Sequence, residues 1–273
     1  MRGGTRSLLT RPGVGLTANV VQHSALRFSN VVVDSPALIL LRHGTKLLQS
    51  GGRRWTLQSG DAIAVAGGQA FDVSNRLSAA GLYEARWLMW DKALIERFMQ
   101  TAPAGRPLSG AMVLKQVSTE FVATADRAVA AISDPSGLAE DVARHRLAEL
   151  LVWLSVAGIQ FTTAQTTTAT SQLRRLFAES AAEAWTMPRV AARLAMSEAT
   201  LRRRLHSEGT SFGNLLADVR MSHAMTLLQS TDHPVAHIAL KVGYESASRF
   251  AIRFRERFGF APTAIRGHRR ARA

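Results

Sequence analysis

The sequence predicts an α+β protein: a barrel or jelly roll of short strands with helices packed on it, then an all-α domain. In that second domain two helix-turn-helix modules are joined by one long helix. Three observations predict this. Between residues 20 and 90, short β-rich runs are punctuated by Gly-bearing turns. From Asp91 onward the apolar residues recur at helical spacing. The pattern of residues 186–209 then returns at 235–259. At roughly 150 residues per domain, a chain of 273 residues has room for two.

The strands come first. Leu26–Val33, Ala37–Arg42, Arg54–Leu57, Asp61–Ala66, Phe71–Val73 and Tyr83–Trp90 are the β-rich runs. Asp34-Ser35-Pro36, Gly51-Gly52, Ser59-Gly60-Asp61 and Gly67-Gly68 break them. Helices are expected over Lys92–Gln100, about residues 115–132, and Asp141–Ile159. In the last of these, Val142, Leu147, Leu150, Leu151, Leu154 and Ala157 share one stripe, which would bury on the barrel or on a second subunit. Thr162–Thr170 carries no charge, no aromatic and no helical period, so it reads as a connector. The expected domains are therefore 1–161 and 172–273, with a linker at 162–171.

Composition narrows the chemistry. With no cysteine, a disulfide framework, a thiolate zinc site, an iron–sulfur centre and a Cys nucleophile are excluded, in keeping with a reducing compartment. The longest apolar stretch, Leu150–Ile159, is half the roughly 20 residues a membrane span needs. Near the N-terminus only Leu8 and Leu9 cluster, short of the roughly 7–15 apolar residues of an export signal. A soluble, cytoplasmic protein without a membrane partner is expected.

Residues 26–90 hold a single histidine, His43, whereas a metal-dependent barrel enzyme brings several His and a carboxylate to one strand face. No phosphate-cradling Gly loop and no nucleophile elbow is present. The expectation is no catalytic residue, no metal and no cofactor. Arg42, Lys46 and Trp55 are the candidates for holding a small acidic effector, because cations beside an aromatic suit such a ligand. Edge-strand charges that discourage aggregation are the alternative role.

The formal net charge is +14, and it is uneven. Residues 172–273 carry 17 Lys+Arg and 8 Asp+Glu, and Lys241 is the one lysine among them. Arginine suits bidentate contact with phosphate and guanine. In the segment 186–209, Pro188 fits a first helical turn, and Val190, Ala191, Leu194 and Ala195 face inward. After a break at Met196–Ser197, Ser197 caps the next helix, Glu198 favours its positive end, and Gly209 ends it. Leu201 and Leu205 turn inward, which leaves Arg202, Arg203 and Arg204 off the stripe.

Ile238, Ala239 and Val242 repeat Val190, Ala191 and Leu194 at an offset of 48. Ser246, Phe250 and Phe254 repeat Ser197, Leu201 and Leu205 at 49, and Gly259 repeats Gly209 at 50. Ser211–Gln229 between them has helical spacing and, at about 1.5 Å per residue, a length of roughly 28 Å. Such a rod can hold two short helices near one DNA turn, about 34 Å, apart.

The run V-A-A-R-L-A-M-S-x-x-T-L-x-R-x-L-x-x-x-G-x-S-F, followed by L-L-x-x-x-R, A-x-x-L-L and I-A-x-x-x-G-Y-x-S-x-S-x-F-x-x-x-F-x-x-x-F-G-x-x-P, resembles the AraC/XylS family of bacterial transcription regulators over about residues 172–268. The first 160 residues are similar only in plan to the cupin-like effector or dimerisation domains of such regulators. The resemblance implies recognition helices at Ser197–Ser207 and Ser246–Arg257. Its DNA-facing positions fall on Glu198, Ala199, Thr200, Arg202 and Arg203 in the first. In the second they fall on Ser246, Ala247, Ser248, Ala251 and Ile252, with Arg249 and Arg253 reaching phosphates.

Ile252 departs from the family, which commonly has Arg there. The first module is therefore expected to carry most base reading and the second to position the chain on the backbone. Arg220 is either structural or a phosphate contact. The implied partners are double-stranded promoter DNA, RNA polymerase, a small-molecule effector and a second copy through the N-terminal domain, with activation the implied outcome. The alternatives are a metal-dependent barrel enzyme with a DNA-binding appendage and a non-specific architectural DNA-binding protein.

Overall fold

The structure, a computed structural model, describes residues 5–101, 105–163 and 168–266. The chain divides into two compact units, Met1–Ala164 with Gln229–Thr231, and Gln165–Leu228 with Asp232–Ala273.

The first unit holds two antiparallel sheets. β1 (Ser7–Arg11), β2 (Gly15–Gln22), β9 (Tyr83–Trp90), β4 (Ala37–His43), β7 (Ala62–Val65) and β10 (Ala111–Leu114) form one, in that order. β3 (Leu26–Val33), β8 (Gln69–Arg76), β5 (Thr45–Ser50) and β6 (Arg53–Gln58) form the other. The sheets face each other, since Lys46 on β5 lies over the rings of Tyr83 and Trp87 on β9. This is the cupin-like plan expected.

The far side of the larger sheet packs α1 (Lys92–Thr101), α2 (Thr119–Ser133) and α3 (Glu140–Val156). Leu38, Leu40, Leu88 and Trp90 meet Phe121, Leu147, Leu150, Leu151 and Leu154 there, each full burial worth about 1.5–3 kcal/mol. Trp90 Nε1 also donates to the Leu147 carbonyl at 2.8 Å. Being covered on both faces explains why Ala37–Leu41 is buried at every position and reads as an unbroken apolar run.

Several elements differ from the sequence expectation. β1 and β2 precede it, and β2, buried on both faces, is partly polar: Thr17, Asn19 and Gln22 are all buried. Thr17 donates to the Trp87 carbonyl at 2.9 Å, and Asn19 Nδ2 donates to Glu84 at 3.1 Å and to the Thr5 carbonyl at 3.0 Å, so these donors are met from other strands or segments and not by adjacent residues. Gly15 is needed at this pairing, because a Cβ there would stand 2.4 Å from the Met89 carbonyl oxygen.

β5 and β10 are also additional, and α2 begins at Thr119, four residues later than the expected 115. Lys115 and Gln116 instead serve Asp61, a buried carboxylate that accepts from Lys115 Nζ at 2.8 Å and from the Gln58 and Gln116 amides. Burial raises the Asp61 pKa, but these donors outweigh it and hold the group below its ordinary value. Ser118 then caps α2 by accepting from the Phe121 amide. α3 buries its stripe on the larger sheet, with two corrections: Val142 is exposed and Ala157 is the C-cap beyond the helix.

The second unit comprises α4 (Ala169–Glu179), α5 (Met187–Arg193), α6 (Glu198–Ser207), α7 (Phe212–Ser230), α8 (Val235–Lys241), α9 (Ala247–Phe258) and a 3₁₀ turn at Pro262–Arg266. α4 starts at Ala169, inside the stretch expected as a connector, because Thr168 caps it by accepting from the Ser171 amide at 3.0 Å. Residues 164–167 of that connector lie outside the described residues.

Candidate nucleic-acid interface

The first module is α5 and α6. Val190, Ala191, Leu201 and Leu205 close a core with Leu173, Phe177 and Trp185. Ser197 caps α6 by accepting from the Thr200 amide at 3.2 Å and donates to the Thr200 hydroxyl at 2.9 Å, so Thr200 belongs partly to the cap. Glu198 and Ala199 are exposed on the first turn.

With Leu201 and Leu205 buried, the side chains of Arg202 and Arg203 project to solvent and have no hydrogen-bond or ion-pair partner among the described residues. Arg189, by contrast, pairs with Glu183 and lies over the Trp185 ring. An arginine that folding leaves unengaged on an exposed helix face retains its whole donor fork for a ligand.

The second module, α8 and α9, repeats this. Ser246 caps α9, accepting from the Arg249 amide, and Phe250, Phe254 and Phe258 are its buried stripe. Ala247, Ser248 and Arg249 are exposed on the first turn, while Arg253 is exposed and ion-paired with Glu256 at 3.0 Å. In register, Arg203 of α6 corresponds to Ile252 of α9, which is 59% exposed. The turn residues Ala195 and Gly243 correspond as well, and both have positive φ, +52° and +82°.

Two charged residues on α7 connect the modules. Asp218 accepts from Arg174 of α4 and, at 2.9 Å, from Nε of Arg257 of α9. Arg220 donates to the carbonyls of Ala181 and Glu183, each at 2.9 Å, just before α5. Its guanidinium also lies over the Tyr244 ring and fills the space where a Gly243 Cβ would be. Arg220 is thus structural. Asp218 was not among the sequence candidates. The signal for it is that α7 has one acidic residue, beside one arginine, in an otherwise apolar and polar helix.

A third link ties α6 to α4. Glu208, the C-cap of α6, accepts from the Ala169 and Thr170 amides at 2.9 and 2.7 Å. Burial raises the Glu208 pKa, and the hydrogen bonds from residues 168–170 more than reverse this, leaving it lowered.

The effector candidates in the first unit are placed differently from one another. Arg42 is exposed and donates to Asp126 at 2.7 Å. Lys46 is buried, donating to Asn75 Oδ1 at 3.1 Å and to the Tyr83 hydroxyl at 3.3 Å, and burial lowers its amine to about 7. Trp55 sits edge-to-face on Phe71, with ring centroids 5.9 Å apart. Cross-strand register puts Lys46 opposite Leu57 and Trp55 opposite Leu48, so Lys46 and Trp55 share the inner face of the smaller sheet.

A family model described as a helix-turn-helix domain matches residues 190–268. The HTH-type transcriptional regulator GadX of Escherichia coli O6:H1 (strain CFT073) is 38% identical over 82 residues, 30% of this chain and 30% of that protein. The HTH-type transcriptional activator FapR of Escherichia coli is 37% identical over 78 residues, 29% of this chain and 30% of that protein. The matching segment thus spans less than a third of these curated relatives.

Among solved structures, an apo single-substitution variant of ToxT from Vibrio cholerae strain SCE256 superposes with a TM-score of 0.67 at 14% identity, covering 93% of this chain and 97% of that one. Wild-type ToxT of the same strain with an unsaturated fatty acid bound gives 0.64 at 14% identity, covering 96% of each. Both likenesses are of fold. No helix among the described residues is long and apolar enough to cross a membrane. With its paired helix-turn-helix units and these relatives, the C-terminal part of the chain is a helix-turn-helix domain similar to those of transcription regulators.

Proposed function

We propose that the chain regulates transcription by binding promoter DNA through both modules, α6 and α9 entering successive major grooves. The observation that carries this is Arg202 and Arg203, exposed and unengaged on α6, on a module whose repeat is tied to it through Asp218 and Arg220 on α7. Guanine O6 and N7 accept from such an arginine bidentately. Glu198, Ala199 and Thr200 complete the α6 surface; Ser246, Ala247, Ser248 and Arg249 begin the α9 surface. Arg253 shifts from Glu256 to phosphate on binding. The sensing domain is 1–161 and the DNA-binding domain starts with α4, three residues before the expected 172, and the chain works in the cytoplasm, without catalysis, as an activator that engages RNA polymerase.

Random-site selection with the full chain tests this, and an enriched two-part motif is expected. Arg203→Ala should then cost about 1–3 kcal/mol on the selected site and relax one position of it. Arg253→Ala should weaken all sequences alike and flatten the salt dependence. Selection without any motif would favour architectural binding by charge.

The first unit serves as the effector or dimerisation domain. Support for an acidic effector comes from Lys46, a buried amine whose hydrogen-bond partners are the neutral Asn75 and Tyr83. It comes also from a neighbour in fold, ToxT, that has an unsaturated fatty acid bound. Mass spectrometry of small molecules carried by the purified chain, repeated on Lys46→Met, checks this: a carboxylic acid should be present and then lost.

A further inference from the structure

Ile252 has no place in a helix that only grips the backbone. It is the sixth residue of α9, 59% exposed, on the side opposite the buried Phe250, Phe254 and Phe258. Ser248 lies one turn before it, Arg249 and Arg253 beside it. The register that pairs Phe250 with Leu201 and Phe254 with Leu205 gives Ile252 the place Arg203 holds in α6, at the centre of the outward face.

With α9 in a major groove, a side chain there would meet the groove floor. Isoleucine can neither donate nor accept, so against guanine, cytosine or the adenine edge it would strip water from polar atoms and return nothing. The thymine C5-methyl group is the apolar feature of that floor. The flanking cations supply attraction to phosphate but no preference among bases. Resting on the DNA-binding reading above, we propose that Ile252 makes the second module a thymine reader, specifying a T·A pair by methyl contact where the first module specifies its bases by hydrogen bonding.

Uracil in place of thymine removes that methyl and leaves Watson–Crick pairing intact, so the test is a set of duplexes carrying the selected site with single deoxyuridine substitutions. In the half-site under α9, one substitution should weaken binding of the full chain about fourfold, the worth of one methyl group in apolar contact. The same substitution should leave Ile252→Ala unaffected. Ile252→Arg should exchange thymine for guanine at that position on reselection.

Because Ile252 is exposed, both variants should unfold at the parent's denaturant midpoint. A half-site indifferent to deoxyuridine at every thymine, or equal sensitivity in the parent and Ile252→Ala, would overturn the thymine assignment while leaving DNA reading intact. Failure to select any motif would overturn both.

Discussion

The two helix-turn-helix modules share a backbone plan and differ in nearly everything that plan leaves open. In α6 the buried stripe is aliphatic, Leu201 and Leu205, with aromatic cover from Phe177 and Trp185 outside the module. In α9 the stripe is itself aromatic, and Tyr244, Phe250, Phe254, Phe258 and Phe260 form a chain of ring contacts. Outward, α6 offers two unengaged arginines, while α9 offers Ile252 and an Arg253 held by Glu256. A helix-turn-helix needs its period, its cap and its left-handed turn residue. The residues between those fixed points can diverge into different tools.

The largest expected contrast lies in the cores. Phe254→Ala should cost about 4 kcal/mol and Leu205→Ala about 3, because the ring leaves the larger void; denaturant unfolding of the full chain compares them. Equal losses would mean that the aromatic chain adds nothing over aliphatic packing.

Next comes the coupling between modules. Asp218→Ala removes the carboxylate shared by Arg174 and Arg257, whose side chains are 17% and 22% exposed. A fully buried pair would lose more, so about 2 kcal/mol is expected after allowance for partial solvent screening. Hydrogen exchange should quicken in both α4 and α9. Quickening in one alone would show that Asp218 serves a single module.

The turn residues give a pair of opposite signs. Ala195 carries φ +52°, costly for a residue with a Cβ, so Ala195→Gly should stabilise by about 0.5–1 kcal/mol. Gly243→Ala should destabilise by about 1.5 kcal/mol, since its Cβ would stand 2.7 Å from the Arg220 guanidinium and the left-handed strain adds to that. Matching signs in thermal unfolding would refute the equivalence of the two turns.

The smallest effect is a pH dependence confined to the first module. Glu208 has a lowered pKa in the folded chain because it caps α4. Its contribution is therefore complete above the ordinary glutamate range and is lost as pH falls through the lowered folded value. Glu208→Gln should remove that acid-side loss at a cost of up to about 1 kcal/mol near neutrality, in the range of a helix cap. Local exchange in α4 against pH measures it.

Legibility followed the distance over which each feature is decided. Ser197 and Ser246 as caps, the stripes of α6 and α9, and the exposure of Arg202 and Arg203 rest on residues three or four apart, and all were readable. β2 was not, because the polar side chains of Thr17, Asn19 and Gln22 disrupt its apolar pattern and two of them donate to β9, some seventy residues on. Helix α2 is legible in the sequence but its start is not, because Asp61 draws Lys115 and Gln116 away from it. Arg220 was ambiguous for the same reason: its carbonyl partners at Ala181 and Glu183 lie nearly forty residues back.

By itself the sequence determined the duplication, the helix boundaries within it and which arginines face outward, because a helix's faces follow from its own period. Only the tertiary structure decided the register of the two sheets, the inward course of Lys46 beside Tyr83 and Trp87, and the tethering of both modules by Asp218 and Arg220. Those features join groups far apart along the chain, and a buried polar side chain's partner is fixed by where the fold brings it, with no trace in the residues beside it.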